Sequence, residues 1–176
     1  LSGVDVIPSG ADARAHAIDV LDEVLAFFQV EVTDAIGHSL GGQFALYLAL
    51  EHPERLRRLV LLGAPAGAFS QAGPTLGMRV ASIPGIGTAL LGLSTSQRAH
   101  ERATGRLIGT DALVGYPAEI TEIGYLASQR PEFAPSVASL FRAMMTPLGA
   151  RAGTALTAQE LAHLEVPTLF VWGVDD

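Results

Sequence analysis

The chain has 176 residues, 49% of them hydrophobic and 16% charged, which is enough apolar material for a buried core and too little charge for a disordered segment. The net charge of −7 and the scattered arginines argue against a nucleic-acid partner, because a phosphate backbone is bound by clustered positive charge. The absence of cysteine excludes disulfides and thiolate metal sites, and the five histidines lack ligand spacing, so we expect neither metal nor cofactor.

No segment has the pattern of a leader or a membrane span. The first residues lack the basic region and apolar core of a signal peptide. The most apolar-looking stretch, 76–93, is interrupted by Arg79, Pro84 and four glycines, whereas a membrane helix needs about 20 nearly uninterrupted apolar residues. We therefore expect a cytoplasmic protein that does not bind membranes.

The chain begins with a predicted amphipathic helix at 12–29, where apolar residues recur at helical spacing opposite a charged face. Ser9 and Asp12 stand where a helix start needs acceptors for its free N–H groups. A short strand is predicted at 32–37.

A second helix and a second strand follow directly. The helix at 40–51 is almost wholly apolar, which predicts burial on several sides. The continuous apolar run at 59–62 is typical of a strand covered on both faces. The order helix, strand, helix, strand over the first 63 residues predicts a parallel sheet with right-handed crossovers.

The pattern changes between residues 64 and 164. Glycine and proline become frequent, short helical stretches such as 136–145 alternate with turns, and no clear strand is found. A predicted buried strand returns at 166–173. We interpret the chain as a core made of 1–63 and 165–176, interrupted by a helical, cap-like insert at 64–164.

Residues Gly37-His38-Ser39-Leu40-Gly41 match G-x-S-x-G at the junction of a strand and a buried helix, the setting of a nucleophile elbow. Such a tight turn presents the serine hydroxyl at the top of the sheet, and Gly37 and Gly41 would avoid collisions with neighbouring backbone. The N–H of Leu40, at the positive end of the helix, could stabilise an oxyanion. We expect His38 to be a structural hydrogen-bonding residue. The alternative is a glycine-rich turn whose serine only caps the helix.

Four motifs in order resemble the α/β-hydrolase superfamily. They are IGHSLGG at 36–42, HPER at 52–55, LVLLG at 59–63 and VPTLFVWGVDD at 166–176. The resemblance implies an α/β fold, with a parallel sheet, flanking helices and an inserted helical cap, and a Ser–His–Asp mechanism with Ser39 as nucleophile. In this superfamily the acid usually stands three residues after the glycine that ends the late strand. That implies Asp176, with Asp175 as runner-up, to orient the catalytic histidine and stabilise its imidazolium.

The site that this resemblance implies is incomplete in the sequence. Chain order in the fold is Ser, Asp, His, and nothing follows Asp176. The other histidines do not fit by position, since they lie in a helix, at a helix end or in the insert: His16, His52, His100 and His163. The usual His-Gly segment with the second oxyanion donor is also missing. We therefore expect a fragment, incomplete at both ends of its core and inactive or nearly so by itself.

The insert carries apolar side chains that either line a substrate pocket or form the core of the cap: Phe69, Met78, Tyr116, Tyr125, Phe133, Phe141, Met144 and Met145. They favour an uncharged, fairly hydrophobic small-molecule substrate. The predicted reaction is ester hydrolysis through an acyl-enzyme on Ser39, with C–C and amide bonds left open. Acyl transfer and a non-catalytic ligand-binding use of the scaffold are the alternatives. The oligomeric state is not indicated.

Overall fold

The computed structural model describes residues 6–63, 68, 73–108 and 115–173. The α-helices are α1 Ala13–Phe27, α2 Leu40–Glu51, α3 Leu76–Ala81, α4 Ile86–Leu91, α5 Gln97–Ile108, α6 Ala118–Ser128, α7 Phe133–Met144 and α8 Ala158–Leu161. The strands are β1 Thr33–His38, β2 Leu56–Leu62, β3 Met145–Thr146, β4 Gly149–Ala150 and β5 Thr168–Val171. A 3₁₀ turn, Pro53–Arg55, leads into β2.

The three longer strands form a parallel sheet in the order β1-β2-β5. Ala35 of β1 lies opposite Leu59 of β2, which in turn lies opposite Thr168 of β5. Helix α2 connects β1 to β2 and packs on both of them. This parallel sheet with flanking helices confirms the predicted α/β fold class.

Helices α1 and α2 lie close to where the sequence predicts them. The carboxylate of Asp12 accepts hydrogen bonds from the backbone N–H groups of Arg14 and Ala15, which caps the start of α1. Soon after α1 ends, Gln29 adopts a φ of 56°, in the left-handed region. Helix α2 has its predicted bounds, and most of its side chains are buried, as the lack of a polar face indicated.

The prediction that the strands at 59–62 and 166–173 are buried is confirmed for Leu59, Leu61 and Val166 and is wrong for the other apolar residues of these two segments. In β2, Leu59 and Leu61 are buried while Leu62 is exposed, so one face is covered far better than the other. In β5, Leu169 and Phe170 are 59% and 46% exposed. Strand β5 lies at one edge of this three-stranded sheet, and no described helix packs closely on it, which explains its exposure.

The region between β2 and β5 is mainly helical in its described part. The exception is a small antiparallel hairpin of β3 and β4, which the sequence analysis did not predict. Helix α7 packs against α3 and α4. Its buried residues Leu140 and Met144 join Met145 in a cluster that Leu40 and Phe44 of α2 also contact. This region therefore packs on the helix that follows Ser39, while the division of the chain into core and cap stays a prediction.

Candidate active site

Ser39 occupies a strained turn between β1 and α2. Its φ of 50° and ψ of −119° lie outside the regions that residues other than glycine favour. Such a conformation costs about 1–3 kcal/mol and persists only where the surroundings enforce it. The Ser39 side chain is exposed and makes no capping hydrogen bond to α2. The alternative of a serine that merely caps the helix is therefore wrong.

The two glycines of the motif differ in what they do. A Cβ atom on Gly37 would lie 2.6 Å from the Cα of Gly42 and 2.8 Å from the carbonyl oxygen of Gly41, which real structures do not tolerate. Gly37 thus lets β1 approach the first turn of α2. A Cβ atom on Gly41 would meet nothing within 4 Å, so the prediction that Gly41 avoids a backbone collision is wrong. The side chain of residue 41 would leave the helix into open space.

The start of α2 supplies N–H groups beside the serine. The first hydrogen bond of the helix runs from the Gln43 N–H to the Ser39 carbonyl oxygen, at 3.1 Å. The N–H groups of Leu40, Gly41 and Gly42 precede that bond and have no acceptor within the helix. Helix N-termini carry positive potential, so these amides favour an anion next to Ser39. Leu40 is the first residue of α2, and the role of its N–H as an oxyanion donor stays a prediction.

Ser39 lines a cavity of about 360 Å³ between α2 and the helical region. Of the described residues that line it, three are polar, namely Ser39, Gln43 and Thr154, and none is charged. The others are Leu40, Gly73, Pro74, Met78, Leu140, Phe141, Met144, Met145 and Ala150. A mostly apolar cavity of this volume suits a small organic molecule held by a few polar contacts.

Half of the insert's candidate pocket residues line this cavity. They are Met78, Phe141, Met144 and Met145. Tyr116, Tyr125 and Phe133 do not line it. Phe69 lies outside the described residues.

A buried polar cluster that the sequence did not predict lies beside the cavity. The Gln43 side-chain amide donates to the Tyr47 hydroxyl at 2.6 Å and to the Thr154 carbonyl oxygen at 3.0 Å. The Tyr47 hydroxyl donates to the same carbonyl. Burial raises the pKa of Tyr47 above its ordinary value, which keeps this donor neutral. One signal was available: Gln43 is an amide in an otherwise apolar helix, one turn after Ser39.

The hydrogen-bonding role that we expected of His38 is not seen among the described residues. Its side chain is exposed, and within the described part of the chain its imidazole makes no hydrogen bond. Side chains of a strand alternate between its two faces, and His38 lies on the exposed face of β1 together with Asp34 and Ile36. The residue before it in the strand lies on the other face. Asp175 and Asp176 lie outside the described residues, and the acid of the site therefore stays a prediction.

The remaining histidines are engaged away from Ser39 or lie on α1. His52 is 3.3 Å from Glu54 and 3.8 Å from Asp22, and His163 Nδ1 is 2.7 Å from the Gln159 carbonyl oxygen. His100 packs edge-on against Tyr125, and His16 is a half-buried residue of α1. Among the described residues, no three His, Cys, Asp or Glu side chains gather into a metal-binding group.

Sequence comparison places this geometry in a family. A sequence profile for the α/β-hydrolase fold matches residues 12–92. The 2-hydroxymuconate semialdehyde hydrolase of Pseudomonas sp. strain CF600 is 36% identical over 128 residues, which cover 73% of this chain and 39% of the relative. The 2-hydroxy-6-oxo-2,4-heptadienoate hydrolase of Pseudomonas putida is 30% identical over 164 residues, which cover 92% of this chain and 51% of the relative.

Solved structures show the same fold. The meta-cleavage product hydrolase of Pseudomonas fluorescens IP01 superposes with a TM-score of 0.66 at 19% identity, covering 98% of this chain and 58% of that one. The chain belongs to the α/β-hydrolase superfamily. It spans about half the length of the curated relatives it matches, or less. No helix among the described residues is both long enough and apolar enough to cross a bilayer.

Proposed function

We propose that the whole protein is a serine hydrolase that cleaves an ester of an uncharged, hydrophobic small molecule through an acyl-enzyme on Ser39. One observation carries this proposal: Ser39 sits in a strained turn on the wall of an apolar cavity, beside helix amides that have no acceptor within α2. Backbone strain of this kind is concentrated at active sites, where the surrounding structure holds a residue in the conformation that its function requires.

In the proposed reaction, Ser39 Oγ attacks the ester carbonyl carbon while a histidine elsewhere in the whole protein accepts the hydroxyl proton. The carbonyl oxygen becomes an oxyanion, which the Leu40 N–H stabilises; such a donor contributes about 3 kcal/mol. The C–O bond to the alcohol then breaks, and the alcohol leaves with the proton that the histidine returns. Water adds to the acyl-enzyme by the same steps and releases the acid and free Ser39. Asp176 would hold the histidine in the required tautomer.

Hydrolysis of a carbon–carbon bond is the second candidate, and the comparisons support it. The curated relatives act, by their names, on a muconate semialdehyde and on an oxo-heptadienoate, and both names denote carboxylates. The described lining of the cavity contains no cation to neutralise a carboxylate. Burying an unpaired charge in an apolar cavity is costly, so this lining favours a neutral ester. Acyl transfer uses the same chemistry at Ser39 and differs only in the acceptor.

Steady-state kinetics on the full-length protein test the proposal. Neutral p-nitrophenyl esters should be hydrolysed with at least tenfold higher kcat/KM than dienoate ring-cleavage products, and Ser39→Ala should abolish the reaction. Preferred turnover of the dienoates would establish the carbon–carbon alternative instead. Adding a competing alcohol or thiol separates acyl transfer, which would give new esters or thioesters in preference to free acid.

A further inference from the structure

We infer that Gln43 and Tyr47 are positioning residues that fix the size of the cavity beside Ser39, by holding the backbone carbonyl of Thr154. This inference deepens the proposed function and rests on it. It concerns the part of the substrate that the cavity accepts, that is, the length of its apolar chain.

The Thr154 carbonyl is held by α2 from across the chain. It accepts one hydrogen bond from the Gln43 amide at 3.0 Å and another from the Tyr47 hydroxyl, over separations of 111 and 107 residues. A carbonyl oxygen has two lone pairs, so these two donors satisfy it fully. All three residues are buried, and buried hydrogen bonds in a low-dielectric setting resist exchange with water.

The donors on α2 are themselves fixed. Gln43 and Tyr47 lie one turn apart and are joined by a hydrogen bond of 2.6 Å. The guanidinium of Arg14 lies 5.4 Å from the centre of the Tyr47 ring, and the Phe44 ring stacks at 6.3 Å. The tyrosine hydroxyl therefore has little freedom to follow Thr154 if that residue moves.

The held residue carries the wall of the cavity. Thr154 closes a turn in which its N–H and hydroxyl both donate to the Arg151 carbonyl oxygen, at 3.2 and 2.7 Å. Its hydroxyl also reaches the Met144 carbonyl oxygen at 3.3 Å. Thr154, Met144 and Met145 all line the cavity that contains Ser39. Without its hydrogen bonds to α2, the turn at 151–154 can move away from that helix together with the part of the cavity lining that it carries. The cavity would then accept a longer acyl chain.

The serine and the tether share one short segment of helix. The backbone N–H of Gln43 donates to the Ser39 carbonyl oxygen, while the Gln43 side-chain amide donates to the Thr154 carbonyl oxygen. One residue thus connects the backbone of the nucleophile to Thr154, another residue of the cavity lining. This is a specificity role and not a catalytic one, since neither donor is assigned to the reacting carbonyl.

The test uses the full-length protein with Tyr47→Phe and Gln43→Met, which each remove one donor with little change in volume. Ser39 is labelled with ethyl and octyl fluorophosphonates, and the ratio of the octyl rate to the ethyl rate is measured. Hydrogen exchange of the peptide covering 151–156 is followed in parallel. Tyr125→Phe is the matched control, because this tyrosine does not line the cavity.

Each single substitution should raise the octyl-to-ethyl ratio about fivefold and speed exchange at 151–156 by a similar factor, as expected when one of the two hydrogen bonds to the Thr154 carbonyl is lost. Exchange in α2 and α7 should stay unchanged, and Tyr125→Phe should alter neither readout. An unchanged ratio in labelled protein overturns the inference, whether or not exchange speeds up. If wild-type Ser39 takes no label at all, the proposed function fails and the inference falls with it.

Discussion

The floor of the candidate site and its roof are built by different kinds of contact. The floor consists of β1, α2 and β2, and its geometry depends on residues that are close in sequence. The missing side chain of Gly37 allows Gly42 to lie close to it, and the Ser39 carbonyl oxygen accepts a hydrogen bond from the Gln43 N–H. The roof is α3, α7 and residues 145–154, held above the floor by bonds that span more than a hundred residues. The reactive geometry is therefore encoded locally, whereas the shape of the pocket depends on the tertiary fold.

The largest effect should follow from removing the nucleophile in the floor. In the full-length protein, Ser39→Ala should lower kcat on an ester by about 10⁵–10⁶-fold, the scale seen when a triad serine is lost. The unfolding free energy should not fall, because the replaced hydroxyl makes no capping bond. Stopped-flow and steady-state assays measure the first quantity and chemical denaturation the second. A Ser39→Ala variant that retains a tenth of the activity would contradict the assignment of Ser39 as the nucleophile.

A matched pair of glycine substitutions separates the two halves of the motif. Gly37→Ala places a methyl group 2.6 Å from Gly42 Cα, and we expect a loss of about 1–3 kcal/mol in unfolding free energy with slower labelling of Ser39. Gly41→Ala meets open space and replaces a helical glycine, so it should be neutral or stabilise by up to about 1 kcal/mol. Urea denaturation of both variants is the measurement. Equal losses in the two would show that the close approach of β1 to α2 is not the cause.

Gly87 in α4, a helix that packs against the roof helices α3 and α7, provides the counterpart. A Cβ atom on Gly87 would lie 1.8 Å from the Ala81 carbonyl oxygen, so Gly87→Ala must separate α3 from α4 and should cost about 1–3 kcal/mol. Because Ser39 belongs to the floor, its labelling by a small fluorophosphonate should stay within twofold of wild type. A drop in that rate as large as the one in Gly37→Ala would break the distinction between floor and roof.

The smallest effect concerns an ion pair outside the cavity. Glu160 accepts from the Thr157 N–H at 2.8 Å and from Arg14 at 2.6 Å, and these bonds lower the pKa of its carboxyl from 4.5 to about 2. A lowered folded-state pKa stabilises the protein above pH 4.5, and the contribution is lost as the pH falls towards 2.

Glu160→Gln should therefore cost about 1 kcal/mol at pH 7, the size typical of a helix cap, and the gap to wild type should close below pH 4.5. Denaturation at a series of pH values measures it, with Glu132→Gln as an exposed control. A gap that does not depend on pH would assign the effect to packing.

The sequence predicts the floor well because local patterns carry it. The bounds of α2 follow from an apolar run between Ser39 and Pro53, and the position of the strained serine follows from the strand-to-helix junction. The bonds that join the roof to the floor were not predicted, because a hydrogen bond from Tyr47 to the backbone carbonyl of Thr154 does not depend on which side chain residue 154 carries. The exposure of β5 was not predicted, because an apolar run shows that a strand can be buried but does not show whether another element packs on it.

If the fold forces the Ser39 hydroxyl into a reactive position, a fluorophosphonate should label Ser39 in the full-length protein, and peptide mapping should find the adduct there. We expect one adduct per chain, on Ser39, lost in Ser39→Ala and slowed in Gly37→Ala. An unlabelled Ser39 in the folded protein, or an adduct on a different serine, would contradict the account.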